Sequence, residues 1–149
     1  MKKIILAVLF SVTFLAVNAQ VQNPVKWKYE AKKKGVNYEV VVTATVDKPW
    51  HIYSQNTGKN GPIPTTITFK TNPLITLNGK VKEAGKLEKI YDKNFQTDVL
   101  FYSGSVVFTQ IIKVKAGVKT NISGTVEYMV CDDEKCLPPT KKTFDIKLP

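Results

Sequence analysis

With 149 residues, 43% of them hydrophobic, the chain can close one sizeable core but is short for two ordinary domains. Its formal charge of +10 rests on lysine alone, since none of its 22 basic residues is arginine. The lysines are spread along the chain, with Lys32 to Lys34 the only run of three. That pattern describes a solvated basic surface and argues against a nucleic-acid binder, which concentrates its basic groups and reads bases with arginine forks.

The first segment, "MKKIILAVLFSVTFLAVNAQ", places Lys2 and Lys3 before an apolar run from Ile4 to Val17 and a small-residue ending at Asn18-Ala19. That order predicts a secretory signal peptide over residues 1–19, cut after Ala19. The run is shorter than the ~20 apolar residues of a spanning helix, and no later segment is apolar enough to cross a membrane. The expected product is a soluble, monomeric domain over residues 20–149, periplasmic or otherwise exported. Removing Lys2 and Lys3 from the +10 leaves it +8. Export matters for the two cysteines, because disulfides persist in oxidising compartments.

Beyond Pro24 the apolar residues alternate. Val36, Tyr38, Val40, Val42, Ala44 and Val46 fall on one face, with Asn37, Glu39, Thr43 and Thr45 opposite, the period of a half-buried strand. Two longer stretches look irregular, "KPWHIYSQNTGKNGPIP" at 48–64 and "EKIYDKNFQTDVLFYSG" at 88–104, and loops of that length are often functional. Val106, Phe108 and Ile112 resume the alternation, and Val126, Tyr128 and Val130 repeat it. Turn signals stand at Lys34-Gly35, Asn78-Gly79, Ser103-Gly104, Ala116-Gly117 and Ser123-Gly124. Short strands, frequent turns and no long helical period predict an all-β fold, an immunoglobulin-like antiparallel β-sandwich, with a barrel as the alternative.

Both cysteines lie in "VEYMVCDDEKCLPPTKKTF", four residues apart and just before Pro138-Pro139. A hairpin turning through Asp132 to Lys135 brings Cys131 and Cys136 face to face, where Cα atoms lie ~4.5 to 5.5 Å apart. A disulfide accepts roughly 4.4 to 6.8 Å. As a staple such a bond does little, because a loop of about six residues contributes on the order of 2 kcal/mol against roughly 4 for a bridge spanning sixty. Zinc wants four ligands, whereas the chain has two cysteines and one histidine, His51. A Cu(I) site from Cys131, Cys136, His51 and Met129 suits the softness of sulfur, but no Met-rich or His-rich tract accompanies it. Hydrolytic Cys-His chemistry needs an activated thiolate, which Asp132, Asp133 and Glu134 beside Cys131 disfavour. A local staple and a reactive pair both remain open. His51 between Trp50 and Ile52 reads as a strand-edge histidine.

Three motifs carry a resemblance over most of the mature chain: "VCDDEKCLPP", "WHIYSQNTGKNGPIPTTI" and "YDKNF". The sequence resembles the N-terminal periplasmic domain of DsbD, a membrane thiol:disulfide interchange protein. The resemblance implies an immunoglobulin-like fold whose cysteine pair takes reducing equivalents from a thioredoxin-like donor domain. It then passes them to periplasmic acceptors, either disulfide isomerases or thioredoxin-like proteins of cytochrome c maturation. The dithiol is then the carrier, with no cofactor and no metal. By the same resemblance Cys136 forms the mixed disulfide with partners and Cys131 resolves it. Phe95 shields the pair from a cap loop, Asp92 is an acidic cap residue, and Tyr53 lines the site. The loop between the cysteines is one residue shorter than in the best-known members. DsbD also continues into membrane helices and a thioredoxin-like domain, so a chain ending at Pro149 is expected either to draw both functions from other proteins or to do something else. The rival expectation is a non-catalytic exported binding module of the same fold, with Cys131–Cys136 as a structural hairpin disulfide.

Overall fold

Runs of alternating β-branched residues favour the pleated backbone, where one face can be buried and the other solvated. A computed structural model describes residues 22–58 and 60–148, and the expected leader at 1–19 lies outside the described residues. Among the described residues there are nine strands and no helix. They are β1 (Val25–Lys34), β2 (Asn37–Val46), β3 (His51–Tyr53), β4 (Thr66–Phe69), β5 (Ile75–Asp92), β6 (Thr97–Val114), β7 (Asn121–Tyr128), β8 (Val130–Cys131) and β9 (Thr140–Lys147). No helix among the described residues is long and apolar enough to cross a membrane.

All strand pairs are antiparallel. One sheet runs β1-β2-β6-β3-β8, with β5 along the other edge of β6; the second runs β4-β7-β9. The two sheets close over a shared core, as in an immunoglobulin-like β-sandwich. From the first sheet come Val40, Val42, Ala44, Val106, Phe108 and Ile112, and from the second Ile122, Val126, Phe144 and Ile146. Trp27 of β1 meets Tyr128 of β7 at 5.1 Å between ring centroids, and Tyr29 stacks on Phe144 at 5.1 Å. Gly124 of β7 lies so close to β4 and β9 that a methyl group there would collide with the Thr68 carbonyl oxygen and stand 2.6 Å from the Phe144 ring. Only glycine fits at that distance.

The site is positioned by a bend in β6. Residues 105–112 of β6 pair with β2, while 101–103 pair with β3 on the same edge. Between them Ser103, Gly104 and Ser105 bulge out opposite a single residue of β5, Lys86. Gly104 has φ +87°, a conformation glycine reaches without steric penalty. A bulge bends and twists the strand carrying it, so the β5–β6 pair continues past β2 as an arm spanning residues 87–92 and 97–102.

Three of the expected turns are therefore not turns. Ser103-Gly104 is this bulge, Asn78-Gly79 is a second one within β5, and Ser123-Gly124 lies inside β7. In each, glycine serves a bend or a close approach within a strand, which sequence cannot separate from a reversal of direction. The segment 88–104 is likewise no irregular loop but the end of this hairpin. Val36, expected on the buried face of β2, is 83% exposed because it sits in the β1–β2 turn beside Gly35. Gln110 of β6, itself 3% exposed, reaches the β5 bulge, where its Nε2 donates to Asn78 O at 3.0 Å.

Candidate functional site

Residues directly opposite each other in antiparallel strands send their side chains to the same face. Across the first sheet the register runs Ser103, His51, Cys131, Cys136. These four side chains form a row on one face. The neighbouring row on that face holds Phe101 and Tyr53. The intervening residues Tyr102, Ile52 and Val130 point the other way, into the main core. Tyr53, Val99, Phe101 and Cys131 form a separate buried cluster with Met129 packed against it. This second cluster lies on the far side of the sheet, toward the β5–β6 arm.

The disulfide Cys131–Cys136 is formed, with Cα atoms 4.0 Å apart, slightly closer than the ~4.5 Å of an average pair at such a position. Asp132 N donates to Lys135 O and Leu137 N to Val130 O, each at 2.9 Å. Those two bonds flank the cysteine pair and make it a non-hydrogen-bonded site of the ladder, the kind that brings side chains together. The connecting turn is secured independently. Asp132 Oδ1 accepts from Glu134 N at 2.9 Å and Lys135 N at 2.7 Å, and these bonds, the Glu134 one first, hold the Asp132 carboxyl below its usual range. Pairing stops after Leu137, because Pro138 and Pro139 carry no amide hydrogen. The chain then crosses to the second sheet as β9.

The two sulfurs have different surroundings. Cys131 is 2% exposed and belongs to the Tyr53–Val99–Phe101 cluster, whereas Cys136 is exposed on the outer edge. Facing the pair across a groove of about 600 Å³ is the tip of the β5–β6 arm. Ile90, Tyr91, Asp92 and Phe95 line one side, Cys131 to Cys136 the other, and His51 and Tyr53 contribute as well. Asp92 Oδ1 accepts from Asn94 N at 2.8 Å and from Phe95 N at 3.3 Å. Its carboxylate thus shapes the turn that presents Phe95. Phe95 is half-buried, while Ile90 and Tyr91 are 48% and 63% exposed.

All five residues singled out by the resemblance, Cys131, Cys136, Phe95, Asp92 and Tyr53, line this one groove. His51, which the sequence offered as a strand-edge histidine or a copper ligand, also lies in the groove. It stands beside Cys131 in the sheet, its Nε2 3.3 Å from Tyr53 Oη and its ring 4.6 Å from that of Phe101. The available signal was the spacing of His51 and Tyr53, two apart in a strand and hence on one face. Burial lowers the His51 pKa, opposed by Asp133, Asp92, Asp132 and Glu88. Burial, with Asp92 adding to it, pushes Tyr53 up to about 12. Among the described residues no group of three or more His, Cys, Asp and Glu side chains is placed to hold a metal ion.

The stretch after β3 is ordered by hydrogen bonds to neighbouring strands. Glu83 of β5 accepts from Ser54 Oγ, from Gln55 N at 2.9 Å and from Asn56 Nδ2 at 3.0 Å. Thr65 Oγ1 donates to Tyr53 O at 2.6 Å. These bonds fix β3, and with it His51 and Tyr53, under the arm.

Compared with known proteins, residues 17–148 match the family described as "Thiol:disulfide interchange protein DsbD, N-terminal". Among solved structures, the fold is similar to the N-terminal periplasmic domain of ScsB from Proteus mirabilis, with TM-score 0.63 and 15% identity over 85% of this chain and 47% of that one. This chain therefore spans about half the length of that relative. It is also similar to the reduced DsbD N-terminal domain of Neisseria meningitidis, with TM-score 0.53 and 17% identity over 81% and 84% of the two chains. A third similar structure is the DsbD N-terminal domain in complex with the PilB N-terminal domain, also from Neisseria meningitidis, with TM-score 0.52, 14% identity and 80% of each chain covered. No curated protein matches the sequence.

Proposed function

We propose, for a chain that belongs to the family of the N-terminal domain of the thiol:disulfide interchange protein DsbD, that Cys131 and Cys136 form a redox-active pair carrying electrons between thioredoxin-like proteins. Family membership and the formed disulfide fit thiol–disulfide exchange in general. One observation carries the finer reading: an exposed Cys136 is joined to a buried Cys131 in a groove walled by an aromatic-tipped hairpin. A staple needs no such asymmetry. The turn is already held by Asp132 without help from the sulfurs, so a permanent bond there adds little stability.

In the proposed cycle a donor's thiolate attacks Cys136 Sγ, a mixed disulfide forms, and Cys131 departs with the electron pair of the broken S–S bond. The donor's second thiolate then attacks its own sulfur in the mixed disulfide and releases Cys136. Two electrons and two protons have passed to this protein, and the donor leaves oxidised. An acceptor disulfide runs the same steps backwards. The complex of a DsbD N-terminal domain with the PilB N-terminal domain supports partners docking on this type of domain. Disulfide isomerases and cytochrome c maturation proteins are the acceptor classes proposed.

In this reading Phe95 is a shield and Asp92 its support. The ring hinders small thiols in the groove until a protein partner displaces it. Tyr53 floors the site and stays protonated throughout, since its pKa stands at about 12.

The deciding experiment is a redox titration of the purified protein. Structural disulfides have potentials below about −300 mV, and exchange pairs sit above it. The expected result is a reversible two-electron transition above that limit; a pair that stays oxidised below it is a staple. Export is proposed on the basic, apolar and small-residue order of the first twenty residues. Intact-mass measurement on protein from a bacterial envelope fraction is expected to find a chain starting at Gln20, and a retained Met1 would overturn export by a cleaved leader.

A further inference from the structure

Access and leaving-group quality oppose each other at this disulfide. Attack is open at Cys136, so the sulfur that must depart is Cys131, 2% exposed among Tyr53, Val99 and Phe101. Burial disfavours a charged thiolate. The same burial slows the reverse step, in which Cys131 must lose its proton before it can attack. A proton carrier beside Cys131 removes the conflict in both directions.

Given the exchange chemistry proposed above, we infer that His51 is that carrier: it stands directly opposite Cys131 in the sheet, on the same face as the disulfide, and lines the groove the partner enters. Directly opposed residues have Cβ atoms about 4.5 to 5.5 Å apart, within reach of an imidazole and a thiol. Tyr53 Oη at 3.3 Å and the Phe101 ring at 4.6 Å hold the His51 ring in place.

When the reduced protein meets an acceptor, Cys136 first forms a mixed disulfide with it. His51 takes the proton from Cys131 Sγ, and the resulting thiolate attacks Cys136 Sγ. The Cys131–Cys136 bond forms, the Cys136–acceptor bond breaks, and the acceptor sulfur leaves with the electron pair. The imidazolium then returns its proton to that thiolate or to water. In the opposite direction the imidazolium protonates Cys131 as it departs. Groups facing His51 suit both forms. From β6 come Phe101 and Ser103, and from β3 Tyr53, all uncharged at neutral pH; Asp132 and Asp133 follow β8, and Glu88 and Asp92 come from β5. Burial keeps the resting ring neutral and ready to accept a proton, and the four carboxylates stabilise the cation once formed.

The test follows closure of the glutathione mixed disulfide on Cys136, made by reacting the reduced protein with oxidised glutathione and read by mass after acid quench. With His51 present, the closure rate is expected to change little between neutral and mildly alkaline pH. In His51→Gln it is expected to fall roughly a hundredfold near about pH 6.5, the lower range of general-base contributions. It should then climb with pH and approach the wild-type rate under alkaline conditions, where hydroxide deprotonates the thiol unaided. His51→Phe keeps an aromatic ring against Phe101 but carries no proton, and it is expected to follow the same profile. Profiles parallel to wild type, or a drop equal at every pH, would overturn the proton role while leaving the exchange reading standing. A wild-type pair that cannot be opened at all sinks both.

Discussion

Cys131→Ala is expected to trap a mixed disulfide through Cys136, while Cys136→Ala traps little or none, when each is offered a thioredoxin-like protein lacking its resolving cysteine. The asymmetry follows from placement. Cys136 lies on the outer edge of its sheet, where Pro138 and Pro139 end the pairing. Cys131 is between β3 and that edge, 2% exposed, under the arm that carries Phe95. For a partner to reach Cys131 the cluster around Tyr53 and Phe101 must open, and an opening cost of about 3 kcal/mol corresponds to roughly a hundredfold in rate. Local charge argues the other way, since Lys135 beside Cys136 makes that sulfur the better leaving group. The burial difference outweighs one exposed lysine, whose Nζ in any case sits 5.8 Å from the centre of the Trp50 ring. Non-reducing gels of the two variants decide the matter. Equal trapping by Cys136→Ala with none by Cys131→Ala reverses the assignment, and no trapping by either returns the pair to a staple.

Removing two phenylalanine rings is expected to have opposite consequences. Phe108 is fully buried, faces the core from β6, and lies 6.2 Å from the Trp27 ring. Phe108→Ala is expected to lower stability by about 3 to 5 kcal/mol, through lost transfer energy and the cavity left behind. A loss of that size is a large share of a domain's total stability of roughly 5 to 15 kcal/mol. Phe95 sits half-buried at the tip of the arm, on the groove and outside both buried clusters. Phe95→Ala is expected to leave the denaturation midpoint nearly unchanged, within about 0.5 kcal/mol as at other surface sites, while speeding reduction of the disulfide by a small thiol several-fold. Urea denaturation and the kinetics of reduction by dithiothreitol, run on both variants, separate core from shield. An unchanged reduction rate in Phe95→Ala would remove the ring from the mechanism, and a Phe108→Ala protein as stable as wild type would contradict the packing described above.

Much of the fold was legible in the chain itself. The period-two alternation of Val40, Val42, Ala44 and Val46 determined β2 and its buried face, and Val106, Phe108 and Ile112 did the same for β6. Such patterns are local and are read without knowing the partner strand. The spacing of the cysteines and the double proline after them likewise announced a hairpin pair, since four intervening residues leave few other ways to bring two sulfurs together. Tertiary structure decided what those residues face. Gly79, Gly104 and Gly124 read alike in sequence, yet one sits in a bulge of β5, one bends β6, and one admits the Phe144 ring. The bend at Gly104 turns residues 88–104 from an apparent loop into an arm over the disulfide. The row Ser103, His51, Cys131, Cys136 gathers residues from three separate parts of the chain through strand register. Register is a long-range property, set by which buried faces match, so no local pattern could place the chain's only histidine beside its buried sulfur.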